Sequence, residues 1–162
     1  MELKLNAVRQ DPVTAESSAV VERDPEQVFS FIADRFYDNY PRWMTDVVEL
    51  DLIDPEPIRK GSRLRQVRLE NDENVTSTFA VTDYGAYEIF SFEGLDMPYR
   101  QIYRINPAGK DQSEITFRFE LLEVDLFMRP FVKLIRSAMS EGVDSTMETL
   151  TELLSAPNTS PP

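Results

Sequence analysis

The 162-residue chain contains no cysteine and no histidine. Without cysteine there is no disulfide framework, no thiol nucleophile and no thiolate metal site. Without histidine the usual general base at neutral pH is missing, along with the Ser-His-Asp arrangement and almost every zinc site. Any catalysis must therefore use carboxylates, Tyr, Lys, Arg or ordered water. Tryptophan occurs once, as Trp43, and there are five glycines. Positive charge is also scarce: 17 Lys and Arg stand against 29 Asp and Glu, a net charge of -12. That balance argues against nucleic acid, whose phosphates demand clustered cations. It suggests solubility and repulsion from anionic membranes. No run reaches the roughly 18 apolar residues of a transmembrane helix, and Met1–Asn6 lacks a signal core. A cytoplasmic protein without integral membrane association is expected. The sequons at Asn74 and Asn158 are read as chance matches.

What is present suits one globular domain. The chain is 41% hydrophobic, with ten Phe and six Tyr to fill a core. A chain of this length buries roughly 70% of its unfolded surface. Residues 1–11 read as an N-terminal arm and residues 156–162, with three prolines, as a disordered tail. The domain between them, 12–155, shows neither an internal repeat nor a linker.

Val13 to Glu22 reads as a first strand. Asp24-Pro25-Glu26-Gln27 then starts a short helix: Asp caps free amides, Pro suits the first turn, and Glu favours the positive dipole end. A second short helix or turn covers Tyr37 to Met44. Six strands follow, over Val47–Ile53, Ser62–Glu70, Val75–Tyr84, Ala86–Glu93, Tyr99–Ile105 and Ser113–Val124. Their breaks carry Pro, Gly, Asn and Asp, and connections this short imply an antiparallel meander. Alternation places Ile115, Phe117, Phe119 and Leu121 on one face of the last strand. Val75, Ser77, Phe79 and Val81 form a similar row, as do Tyr99, Gln101, Tyr103 and Ile105. The strand 62–70 is ambiguous: Val67 and Leu69 turn Arg65 inward, whereas Leu64 supports the opposite parity.

Asp125 to Ser155 carries a helical period through Met128, Val132, Ile135, Met139, Val143, Met147, Leu150 and Leu154. Phe127, Phe131, Leu134 and Ala138 add a second row, so the first half is apolar about half-way round. This broad arc predicts a helix wrapped by a curved sheet, with a pocket between them. Pro130 removes an amide from that helix, so its start or a bend falls near Arg129. Gly142 costs roughly 1 kcal/mol relative to Ala.

The order of elements resembles the START-like superfamily. Within it, Asp24–Asp34 followed by Tyr40-Pro41-Arg42-Trp43, and Gly61-Ser62-Arg63-Leu64, look most like the polyketide cyclase/dehydrase-like branch. The resemblance implies an α+β helix-grip fold. In it a curved antiparallel sheet of about seven strands wraps a long C-terminal helix, with two short helices after the first strand. It also implies an apolar cavity between helix and sheet, with Trp43 near its entrance. The same tryptophan can instead be a core filler.

The candidate ligand-binding residues are Trp43, Arg65, Phe79, Tyr99, Tyr103, Phe117, Phe119, Phe131, Ile135 and Met139. Tyr99 and Tyr103 could offer hydroxyls to a ligand carbonyl, or simply pack their rings. An inward Arg65 would need a carboxylate, from the protein or from an acidic ligand. Arg129, Lys133 and Arg136 either steer an anionic partner or form a solvated helix face. The acidic clusters lack calcium-loop spacing, so no metal and no cofactor is expected. Three functions fit this reading. The first is binding of a small hydrophobic or aromatic molecule. The second is a cyclase, dehydratase or aromatase whose Tyr and Arg groups polarise a carbonyl. The third is a protein-interaction module using the same groove. Oligomeric state and ligand identity are not encoded in these signals.

Overall fold

Seven strands form one antiparallel sheet, in the spatial order β1-β7-β6-β5-β4-β3-β2. The computed structural model describes residues 11–157. The expected arm and tail lie outside that range, except for Asp11, Ala156 and Pro157. The strands are β1 (Val13–Val21), β2 (Val47–Leu52), β3 (Arg63–Glu70), β4 (Glu73–Gly85), β5 (Ile89–Gly94), β6 (Tyr99–Gly109) and β7 (Gln112–Leu121). Strands β2 to β7 follow one another as a meander, and β1 closes the far edge against β7, Ala15 opposite Phe119.

Between β1 and β2 the chain forms α1 (Pro25–Phe29), a π-helical turn (Ser30–Asp34) and α2 (Phe36–Trp43). Asp24 caps α1 as expected: its carboxylate accepts from the Gln27 amide at 2.8 Å, while the Gln27 side chain accepts from the Asp24 amide. This reciprocal pairing satisfies two amides that a helix start leaves free. The π turn is held at Asn39, whose side-chain amide donates to the Phe31 carbonyl at 3.0 Å. In α2, Phe36, Asn39, Tyr40 and Trp43 share the buried face at helical spacing.

The sheet therefore wraps the short helices as well as the long one. Phe36 stacks on Tyr40 with ring centroids 4.5 Å apart and meets Phe79, Phe90 and Phe92 from β4 and β5. These rings fill much of the concavity and limit the space left for a ligand.

The terminal helix differs from its expected extent. Leu126–Phe131 is a 3-10 turn, and α3 spans only Val132–Ser155. Pro130 supplies the reason, since it cannot donate the amide that a continuous α-helix would require there. α3 packs chiefly along β1. Val143, Met147, Leu150 and Leu154 are buried, on the stripe read from the sequence. The broad arc at the other end is not wrapped: Leu126, Phe127, Met128, Phe131 and Leu134 are all exposed.

Candidate functional site: a cavity between the sheet and the terminal helix

A cavity of about 300 Å³ lies between the end of α2, the sheet and the middle of α3. The sheet contributes Arg68 from β3, Gln101 from β6, and Phe117 and Phe119 from β7; α3 contributes Met139, Gly142, Val143, Ser145, Thr146 and Thr149. Trp43, Met44, Thr45 and Asp46 close the side where α2 turns into β2. Trp43, Gln101, Phe117 and Val143 are buried and form the floor, whereas Thr45, Gly142 and Ser145 are exposed and mark the mouth.

Beneath the floor runs a chain of polar groups. Trp43 donates its indole N–H to the Tyr103 hydroxyl at 3.1 Å, and Tyr103 donates to Gln101 Oε1 at 2.9 Å. The Gln101 amide donates to the Tyr40 hydroxyl at 3.1 Å. Burial pushes the Tyr40 and Tyr103 phenols well above their ordinary range, so both stay protonated at neutral pH. Burial likewise raises Tyr99, whose hydroxyl accepts from Gln66 at 3.5 Å. These tyrosines serve as hydrogen-bonding groups, and none of them is a base.

The parity of β3 follows Leu64. Leu64 and Gln66 are buried, and Arg68 continues their face into the cavity. Arg65 points the other way and pairs with Asp51 at 2.6 Å, with both side chains well exposed. The inward arginine is thus Arg68, a residue the sequence reading did not single out. Its guanidinium bonds the Asp46 carboxylate, and its Nε lies 3.9 Å from Glu70. That Nε is itself buried without a hydrogen-bond acceptor. Burial works against the charge, but the hydrogen bond to Asp46 and the nearby Asp46 and Glu70 carboxylates outweigh it and hold the guanidinium firmly protonated. The cavity therefore combines aromatic and aliphatic walls with one fixed cation and a neighbouring carboxylate.

Of the expected site residues, Trp43, Phe117, Phe119 and Met139 line this cavity. Phe79, Tyr99 and Tyr103 are buried in the core. Arg65 lies on the outer face, Phe131 is exposed, and Ile135 is half-buried; none of the three lines the cavity. Trp43 is a core residue that also lines the cavity, on its buried floor rather than near the entrance where the resemblance put it. Arg68 could have been found by following the Leu64 parity two steps further, whereas Asp46 sits in a loop with no periodic signal. Among the described residues, no cluster of three or more Asp and Glu side chains is placed to hold a metal ion. No helix there is long and apolar enough to cross a membrane.

Comparison with known structures supports the same architecture. A START superfamily protein from Mycobacterium smegmatis superposes with a TM-score of 0.65 at 19% identity, covering 87% of this chain and 98% of that one. TTHA0849 from Thermus thermophilus gives a TM-score of 0.67 at 17% identity, with coverage of 87% and 96%. The Polyketide_cyc-like protein Cgl2372 from Corynebacterium glutamicum gives 0.63 at 15% identity, covering 89% and 92%. A search of curated proteins finds no significant match. The family model described as polyketide cyclase / dehydrase and lipid transport matches residues 12–155. With that match spanning nearly the whole chain and the helix-grip architecture in place, the chain belongs to the polyketide cyclase / dehydrase and lipid transport family.

Proposed function

We propose that residues 12–155 form a cytoplasmic unit that binds a small amphipathic molecule, apolar or aromatic along its length with an acidic or carbonyl group at one end. The observation that carries this reading is the placement of Arg68 in a cavity otherwise walled by Trp43, Phe117, Phe119, Met139 and Val143. The rings and aliphatic groups match an apolar body. The Arg68 guanidinium, which lines the cavity, matches an oxygen acceptor. A cavity of about 300 Å³ is at the small end for such sites, which selects compact ligands. A matching ligand at about a hundred times its dissociation constant stabilises the fold by roughly 2.7 kcal/mol. For a domain of this size that raises the melting temperature by about 5–10 °C. A screen of aromatic acids, aromatic ketones and short fatty acids tests the idea. No shift with any of them refutes it.

A second reading rests on the Arg68–Asp46 pair. Here the guanidinium polarises a carbonyl while the carboxylate moves a proton, as a cyclase, dehydratase or aromatase would require. Turnover of a poly-β-ketone thioester that is lost in Asp46→Asn, with binding retained, separates this reading from simple binding.

A further inference from the structure

Among the described residues, five exposed large hydrophobic side chains fall together at the start of the terminal helix. Phe127 is 90% exposed, Leu126 71% and Leu134 69%, with Met128 and Phe131 also open to solvent. A contiguous patch of this kind marks an interaction surface. Its charge is opposite to that of the protein as a whole. Residues 126–138 hold Arg129, Lys133 and Arg136 and none of the 29 acidic residues of a chain with net charge -12. Asp125 borders the segment on one side, and Glu141 follows Arg136 by five residues on the other, about 7.5 Å at 1.5 Å per residue. The expectation of repulsion from anionic membranes came from the net charge, but a surface held within about a Debye length of headgroups feels chiefly the charges nearest to it, and within 126–138 these are all positive.

Shape narrows the partner further. Phe127 and Leu126 stand on a 3-10 turn and are the most exposed side chains of this group, forming an apolar tip close in sequence to long cationic side chains. Such a tip suits the boundary between headgroups and acyl chains, where Phe and Leu enter the apolar layer and Lys and Arg reach lipid phosphates. A symmetric second copy would instead set Lys133 and Arg136 of one chain against the same pair of the other, which like charge opposes. The helix continues from this tip to Met139, Gly142 and Val143 on the cavity wall.

We propose that the 126–138 segment docks peripherally on an anionic lipid bilayer, with Phe127 and Leu134 entering the interface and Lys133 and Arg136 meeting phosphate. Docking brings the cavity mouth beside the bilayer, so that an amphipathic ligand is exchanged with the lipid phase; this last step alone rests on the ligand-binding reading.

The test is flotation of the full chain with vesicles of phosphatidylcholine alone or mixed with phosphatidylglycerol. Wild-type protein floats with the mixed vesicles at least about tenfold more than with phosphatidylcholine. The double variant Phe127→Asp, Leu134→Asp loses flotation, while circular dichroism shows an intact fold because both side chains are exposed. Lys133→Gln with Arg136→Gln removes the dependence on phosphatidylglycerol. Three outcomes overturn the proposal. One is equal or absent flotation with both vesicle types, and another is undiminished flotation of the Asp variant. The third is a concentration-dependent dimer, formed without vesicles and dissolved by the Asp variant, which assigns the patch to a second copy. Ligand titration in vesicle-free buffer is unaffected by the Asp variant. Failure of docking therefore leaves the cavity reading standing, and a protein that floats but binds no ligand refutes the cavity reading alone.

Discussion

Trp43 donates its indole N–H to the hydroxyl of Tyr103 across the core, joining the end of α2 to the middle of β6 at 3.1 Å. The bond sets the wall of the cavity from behind. Tyr103 passes the link to Gln101, and Gln101 lines the cavity. A hydroxyl that looked available for a ligand is instead already engaged on both sides.

Tyr103→Phe leaves Trp43 Nε1 without its acceptor and Gln101 Oε1 without its donor, both inside the protein. At about 1–3 kcal/mol for each stranded buried group, the expected loss is roughly 2–6 kcal/mol. Tyr84→Phe deletes the same atom where it meets Asp34 at the surface, and should cost less than about 1 kcal/mol. Urea midpoints of the two variants provide the comparison; equal losses would contradict the proposed coupling.

Arg65 and Arg68 are separated by three positions on β3 and face opposite sides. Arg65→Gln removes an exposed ion pair and should change stability by less than about 1 kcal/mol, with ligand affinity unchanged. Arg68→Gln should weaken binding of an acidic ligand by about 10- to 100-fold, since a hydrogen bond to a charged group contributes about 1.5–3 kcal/mol. Isothermal titration with the best ligand from the thermal screen measures both effects.

Met139 and Gly142 stand on the same cavity wall, one turn apart. Met139→Trp has open volume to enter, so it should be near neutral for stability while blocking the ligand. In a dense core the same change would cost about 1–3 kcal/mol. A Cβ added at Gly142 meets no atom within 4 Å. Gly142→Ala should therefore stabilise α3 by up to about 1 kcal/mol through helix propensity alone. Denaturant midpoints and ligand titration, run on both variants, check the pair.

The surface carries a pH marker at Asp54. Its carboxylate accepts from the side chain and backbone amide of Arg63, which pull its pKa down to about 2. A depressed carboxylate contributes stability that is complete above its unfolded value, near pH 4, and is lost as the pH falls toward 2. NMR titration of Asp54 should show a midpoint near 2, and Arg63→Ala should return it toward the ordinary range. A midpoint near 4 in the unaltered protein would remove the interaction.

The order of elements could be read from the chain because it depends on local chemistry. The Asp24–Gln27 cap, the Gly, Asn and Pro turns, and the period of two in β7 act within a few residues. The buried stripe Val143–Met147–Leu150–Leu154 follows from helical spacing in the same way. The aromatic rows of β4, β6 and β7 were also legible, since alternation fixes which side chains share a face.

Which apolar residues find partners could not be read in this way. The arc Phe127–Phe131–Leu134 looks as well suited to burial as the stripe that follows it, yet α3 lies along β1 with that arc exposed. Period describes a face, and only packing supplies what covers it. Likewise two parities of β3 satisfied the local pattern, and pairing with β2 and β4 turned Leu64, Gln66 and Arg68 inward. The sequence by itself determined the elements, the family and the chemistry excluded by the absence of Cys and His. The tertiary structure alone brought Arg68, Asp46 and Gln101 together with Trp43 around one cavity, because their meeting depends on contacts between segments far apart in the chain, which no local period encodes.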